Sequence, residues 1–200
     1  MIYKLRFACY DGNLSIGKTN KTMKYWIITD THFGHDKMIE YCGRPLEFEN
    51  LILQNLSKCV NETDLLIHLG DICYWRDEYW HSEIQKIKCA KWLVKGNHDS
   101  KSISWYLAHG WNFVGNSFTL DIFGGEILFS HTPVKDTGYF MNIHGHFHNN
   151  EKQNYEPKLK ELLTDKHILL SMENNNYLPY NLKTIVDKFK KNQISPIIEI

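Results

Sequence analysis

No apolar run in this chain approaches the roughly 20 residues needed to span a bilayer, so a membrane-embedded protein is not expected. Met1 to Gly12 carries Lys4, Arg6 and Asp11 and lacks the apolar core of a secretory signal. Neither sign of charge is in excess: Lys+Arg and Asp+Glu both total 23. That balance argues against strong non-specific binding to nucleic acid or to anionic membranes, which needs a basic field. It leaves room for a small nucleotide. There is no CxxC pair, and the five cysteines (Cys9, Cys42, Cys59, Cys73, Cys89) are odd in number and scattered. They suit reduced thiols, and hence a cytoplasmic location, better than a disulfide framework or a zinc finger. Neither an internal repeat nor a long linker interrupts the chain. With 42% hydrophobic residues in 200, residues 1–200 read as one domain able to bury a core.

What the sequence does have is 11 histidines, several beside Asp, Asn and Gly rather than inside periodic apolar patterns. Short apolar runs predict strands at Tyr3–Cys9, Tyr25–Thr29, Leu65–Leu69, Lys91–Lys95, Phe113–Ile122, Glu126–Ser130, Met141–His144 and His167–Met172. Gly124-Gly125 signals a hairpin turn. Helical patterns fall at Glu47–Val60, Asp77–Ile87, Ser102–His109, Lys158–Leu163 and Leu182–Lys191, the last with Asn181 as N-cap. This alternation predicts a layered α/β domain, in which ligands gather at the carboxyl ends of strands. Five polar blocks stand at such ends: Asp30/His32, Asp71, Asn97/His98, His131 and His146/His148.

Each block has a chemical and a bland reading. Asp30-Thr31-His32 offers a carboxylate and an imidazole on one face of an extended turn, suited to a cation, or else Asp30 simply caps the next segment. The two oxygens of Asp71 can bridge two metals, although a turn Asp after Gly70 is common. In Gly96-Asn97-His98-Asp99, the Asn amide oxygen is a neutral ligand and His98 is placed to protonate a leaving alkoxide; Gly/Asn-rich loops are also ordinary. His131 alone would usually be a satisfied histidine. His146 and His148, at i and i+2, can reach two neighbouring cations. The set is informative because five such accidents would have to coincide with five strand ends.

Together the blocks DTH (30–32), GD (70–71), GNHD (96–99), His131 and GHFH (145–148) resemble the calcineurin-like metallophosphoesterase superfamily, over about Met23 to Lys183. The run Asp30-Thr31-His32-Phe33-Gly34-His35 resembles small bacterial and phage members. The resemblance implies a four-layer α-β-β-α sandwich with a dimetal site at the strand ends. It implies one metal on Asp30, His32, Asp71 and His148, and a second on Asp71, Asn97, His131 and His146. The expected cofactors are two divalent ions, manganese first, with iron, zinc, nickel or magnesium as alternatives. Metals about 3.5–4 Å apart share a hydroxide that attacks phosphorus in line while His98 acts as general acid. The implied activity is hydrolysis of phosphodiesters, nucleotide-type ones included, or of phosphomonoesters. Expected substrate contacts are Asn97, His98 and His35, the last either touching phosphate from a helix N-terminus or capping. Protein phosphatases of this superfamily read GDxxDR, whereas this chain has Tyr74-Trp75 in the last two places. A protein phosphatase is therefore not expected, and Asp99 becomes the nearest candidate to orient His98. His68, His81, His109 and His167 are assigned to structure, and His144 to packing under the metals.

Gly12 to Thr19 matches GxxxxGK[ST], but only Asn20–Lys24 precede the next predicted strand, too few for the helix that a phosphate loop requires. Residues 1–22 read instead as an edge strand and hairpin beside Tyr25–Thr29, or as an extension upstream of Met23. The expected partner is a small phosphoester. The alternative reading is a non-catalytic scaffold that uses the same fold to bind proteins, and the intact ligand set argues against it, because buried unpaired carboxylates are costly.

Overall fold

A computed structural model describes residues 3–5, 22–148 and 156–192. In chain order the elements begin with β1 (Tyr3–Leu5), β2 (Tyr25–Ile28), α1 (Lys37–Cys42), α2 (Phe48–Cys59), β3 (Leu65–His68), α3 (Asp77–Gln85) and β4 (Ala90–Val94). There follow α4 (Ile103–Ala108), β5 (Phe113–Gly115), β6 (Ser117–Ile122), β7 (Gly125–Ser130) and β8 (Met141–His144). The chain continues through α5 (Pro157–Lys160), β9 (His167–Leu169), β10 (Tyr180–Asn181) and α6 (Leu182–Lys190).

The strands form two sheets, ordered β10-β2-β3-β4-β5 and β1-β6-β7-β8-β9. In the first, β2 to β5 run parallel and β10 is an antiparallel edge. In the second, β6 and β7 form an antiparallel hairpin, and β8 and β9 continue parallel to β7. Successive strand residues point to opposite faces, so β2 and β3 bury both sides. Ile27, Leu65, Ile67 and Val94 pack between the sheets with Phe118, Leu120, Ile127, Phe129 and Ile143. Ile28, Leu66 and Leu93 face the other way, against Phe48, Ile52 and Leu56 of α2 and Tyr106 of α4. The architecture is a mixed α/β fold of two sheets flanked by helices. The predicted cap Asn181 accepts from the Thr184 amide, and Ser102, expected as the first helical residue, instead caps α4 by accepting from the Trp105 amide.

Two expectations need correcting. Phe113–Ile122 is not one strand. It breaks at Asn116, with β5 completing one sheet and β6 entering the other, because apolar alternation does not say which sheet a run joins. The first strand pairs with β6 and not beside β2, so the expected N-terminal hairpin is not formed there. Helix α1, six residues ending at a left-handed Gly43, and the two-residue β10 were not anticipated. The Gly12–Thr19 motif lies outside the described residues.

Candidate metal centre

Strands β2, β3 and β4 of one sheet and β7 and β8 of the other end at a common edge, and the five blocks meet there. Asp30 Oδ2 accepts from the Thr29 hydroxyl (2.6 Å) and the His146 amide (2.9 Å), which joins the two sheets and aims Oδ1 inward. Asp71 Oδ1 accepts from the His98 amide (2.9 Å), leaving Oδ2 free to face the cluster. Asp71 Oδ2 lies 3.6 Å from His32 Nε2 and 3.4 Å from His131 Nε2. Asn97 Oδ1 is 3.0 Å from His131 Nε2, and His146 Nδ1 is 3.1 Å from it. Two sets of donor atoms result, Asp30/His32/His148 and Asp71/His131/His146, each within 4.8 Å of one another.

These residues fit divalent cations. Asp30 Oδ1, Asp71 Oδ2 and both ring nitrogens of His32 are buried without hydrogen-bond partners. Orphaned polar atoms of this kind are rare and cost free energy unless a bound ion satisfies them. Mixed imidazole, carboxylate and amide oxygen donors suit first-row divalent metals. The backbone is also held out of its ordinary range. Asp30 (φ 49°), His32 (47°), Asp71 (57°), His146 (73°) and His148 (53°) are all left-handed, each costing about 1–3 kcal/mol. Packing at the edge is close: a Cβ on Gly96 would overlap the Asp71 carboxylate, and one on Gly145 would overlap Thr29 Oγ1 and Asp30 Oδ2.

The electrostatics follow from the crowding. Burial pushes the His32 imidazole down to about 3. Burial also disfavours charge on His131, but the Asp71 and Asp30 carboxylates outweigh it and raise that group to about 9. His148 rises to about 10 because Cys42, Glu173 and Asp30 outweigh its burial. The Asp30 carboxyl is pushed up by burial and, more strongly, held low by the His148 and His131 imidazoles. A cation entering here must displace protons, which couples its affinity to pH.

A supporting layer fixes these candidate ligands, and most of it was not anticipated. Arg44 is buried and donates to the Asp30 carbonyl (2.7 Å), the Thr31 carbonyl (2.7 Å) and Glu173 Oε1 (2.8 Å). Glu173 lies 3.5 Å from His148 Nδ1. Glu156 accepts from His146 Nε2 (2.8 Å), which turns Nδ1 toward the ligand set. The Leu69 carbonyl accepts from His131 Nδ1 (2.8 Å), freeing Nε2. His68, assigned to structure, braces the same loops through Gly70 N (3.0 Å) and Thr31 Oγ1 (3.0 Å). His144 is buried beneath, with Nδ1 3.0 Å from the Gly145 carbonyl oxygen.

His98 stands at the mouth, its side chain 35% exposed and Nε2 3.9 Å from Asp71 Oδ2. Asp99 does not orient it. Both Asp99 oxygens are taken by backbone amides, of Asp71 (2.8 Å), Gly96 (2.8 Å) and Ile72 (3.1 Å), so this carboxylate clamps two ligand loops together. Among the described residues no hydrogen bond joins Asp99 to His98. The Tyr74 ring packs on His98 instead, with centroids 5.8 Å apart. His35 stacks on Tyr74 at 4.2 Å and precedes α1 by two residues.

Two sheets meeting at an edge of His, Asp and Asn donors define a mixed α/β protein with a candidate metal centre. The chain belongs to the calcineurin-like phosphoesterase family, whose model matches residues 23–196. An uncharacterized protein of Methanocaldococcus jannaschii is 27% identical over 186 residues, covering 86% of this chain and 94% of the relative. The crystal structure of a protein of unknown function from Aquifex aeolicus superposes with a TM-score of 0.66 at 24% identity, covering 83% of this chain and 99% of that one, and shares the fold. Pseudomonas putida nuclease MPE is a weaker match: TM-score 0.43, 20% identity, 62% of this chain and 61% of that one, too distant to inform the site.

Proposed function

We propose that this protein is a dimetal phosphodiesterase that holds two divalent ions, manganese by preference, and hydrolyses small phosphodiesters, nucleotide-type ones among them. The observation that carries it is Asp71 Oδ2, buried, without a hydrogen bond, and set between His32 and His131 as a bridging oxygen would be. Bound there, such ions supply a nucleophile from water at neutral pH and neutralise charge on phosphoryl oxygens. The chain's own residues do the rest. Asn97 and His98 face the incoming ester from one loop, and His98 delivers a proton to the departing oxygen. The Tyr74 ring keeps the His98 imidazole turned toward the site. Asp99 fixes the separation of the Asp71 and Asn97 loops. Diesters are favoured over monoesters because a cleft adjoins the candidate metal centre. On the His131 side lies a cleft of about 400 Å³, lined by Lys95, Asn116, Ser117, Ser130 and Thr132 beside Asn97. It has room for a second ester limb.

Among the described residues no helix is long and apolar enough to cross a membrane. Cys42, Cys59, Cys73 and Cys89 are all free thiols, in keeping with the proposed cytoplasmic location. The direct test is hydrolysis of bis(p-nitrophenyl) phosphate with Mn²⁺, with and without chelator. Chelator-sensitive turnover is expected. Protein that binds the metal yet hydrolyses no ester overturns the reading in favour of a scaffold.

A further inference from the structure

Large aromatic side chains are normally well buried, yet beside this site three are exposed: Tyr41 is 59% exposed, Tyr74 44% and Trp75 65%. They are not scattered. The His35 ring lies 5.8 Å from the ligand His32 and stacks on Tyr74 at 4.2 Å with an interplanar angle of 12°. Tyr74 meets Trp75 edge-on at 5.4 Å, and His35 meets Tyr41 edge-on at 6.3 Å. A continuous aromatic shelf thus starts at the metal ligands and His98 and runs out to solvent.

The shelf is rigidly founded. Tyr74 N donates to the Phe33 carbonyl (3.0 Å), Phe33 and Cys73 form an isolated bridge, and Phe33 stacks on Trp80 at 5.1 Å. The chain therefore holds partly exposed aromatic rings in place beside the candidate metal centre. Tyr74 is one ring beyond His98, at 5.8 Å, and Trp75 one ring further. A nucleoside phosphate, with a sugar between its phosphate and its planar base, matches rings that lie beyond His98 and not against it. Stacking on aromatic faces is a recurrent mode of base recognition. The zero net charge argues for a short ligand over a long polyanion.

We propose that Tyr74 and Trp75, with Tyr41 at the margin, form a base-stacking subsite that makes this protein selective for nucleoside phosphodiesters. The inference rests on the phosphodiesterase reading above and names the substrate class of that site. The test is equilibrium binding and hydrolysis of the dinucleotide thymidylyl-thymidine, and of its analogue lacking both bases, by the full-length wild type and W75A. Wild type is expected to bind the dinucleotide more tightly than the abasic analogue. W75A should weaken dinucleotide binding about tenfold, as loss of one stacking face does, and leave abasic binding and hydrolysis unchanged. Equal affinity for the two ligands in the wild type overturns the subsite, as does a W75A loss shared by both. So does a dimer that W75A dissociates while nucleotide affinity stays the same. Because binding is read without turnover, and bis(p-nitrophenyl) phosphate reports the chemistry separately, failure of the shelf is distinct from failure of the phosphodiesterase reading.

Discussion

Replacing Glu156 by Gln should weaken one of the two cations and spare the other. His146 donates from Nε2 to Glu156 at 2.8 Å, and its Nδ1 lies 3.1 Å from His131 Nε2. The carboxylate fixes the tautomer with its lone pair on Nδ1 and raises the basicity of that nitrogen. Gln keeps the shape and an acceptor oxygen but removes the charge. Loss of such an outer partner costs roughly 10- to 100-fold in metal affinity, or about 1.4–2.7 kcal/mol. The Glu156 side chain is 33% exposed, so solvent screens part of its charge and the lower end, about tenfold, is expected. His148 has a separate carboxylate in Glu173, at 3.5 Å, so the Asp30/His32/His148 set should be unaffected. Calorimetric titration of Mn²⁺ into E156Q resolves the two steps. The reasoning is refuted if both steps match the wild type, or if both weaken equally.

Other perturbations separate chemistry from scaffold. H98A should bind both metals yet lose about 10²–10⁴ in turnover on an alkyl phosphodiester, with a smaller loss on a p-nitrophenyl ester that needs less help in leaving; equal losses on both, in steady-state kinetics, contradict the general-acid role. R44A removes the buried partner of Glu173, and chemical denaturation should show a loss of about 3–5 kcal/mol. Asp64 accepts from Lys24 N, Asn61 N and Trp26 Nε1, tying the start of β2 to the turn before β3. Burial alone would raise its pKa, and these donors more than offset that and hold it below the ordinary carboxylate value. Its contribution is therefore complete above the unfolded value of about 3.9 and is lost as pH falls through the lower native one. Acid unfolding of D64A should start from a state about 2 kcal/mol less stable at neutral pH and lack that part of the pH dependence.

Much of the site was legible in the sequence, because its seven expected ligands are local features: Asp, Asn or His within a few residues of the end of an apolar run. Strand ends place such residues at one sheet edge whatever the details of packing. The partners that hold them in place are not local. Arg44 and Glu173 are 129 residues apart, and Glu173 stands in the polar run Glu173–Asn176 beside no predicted block. Glu156 likewise lies outside any block. Asp99 was legible as part of the motif but not in its role, since only the fold shows that backbone amides occupy its two oxygens. The break at Asn116 was hidden for a related reason: periodicity reports that a run is a strand, not that the chain changes sheets within it. Tyr74 and Trp75 stood out as a departure from the phosphatase pattern, and the structure turns that departure into an aromatic shelf next to His98.

Asp71, with its free Oδ2 between His32 and His131, would hold two divalent ions as a working pair. Electron paramagnetic resonance of the protein titrated with Mn²⁺ tests it most directly, read alongside hydrolysis of bis(p-nitrophenyl) phosphate. A spin-coupled pair signal that grows in with the second ion, together with the activity, is the predicted result. Only uncoupled, mononuclear Mn²⁺ signals at saturation, with no hydrolysis, would contradict the account.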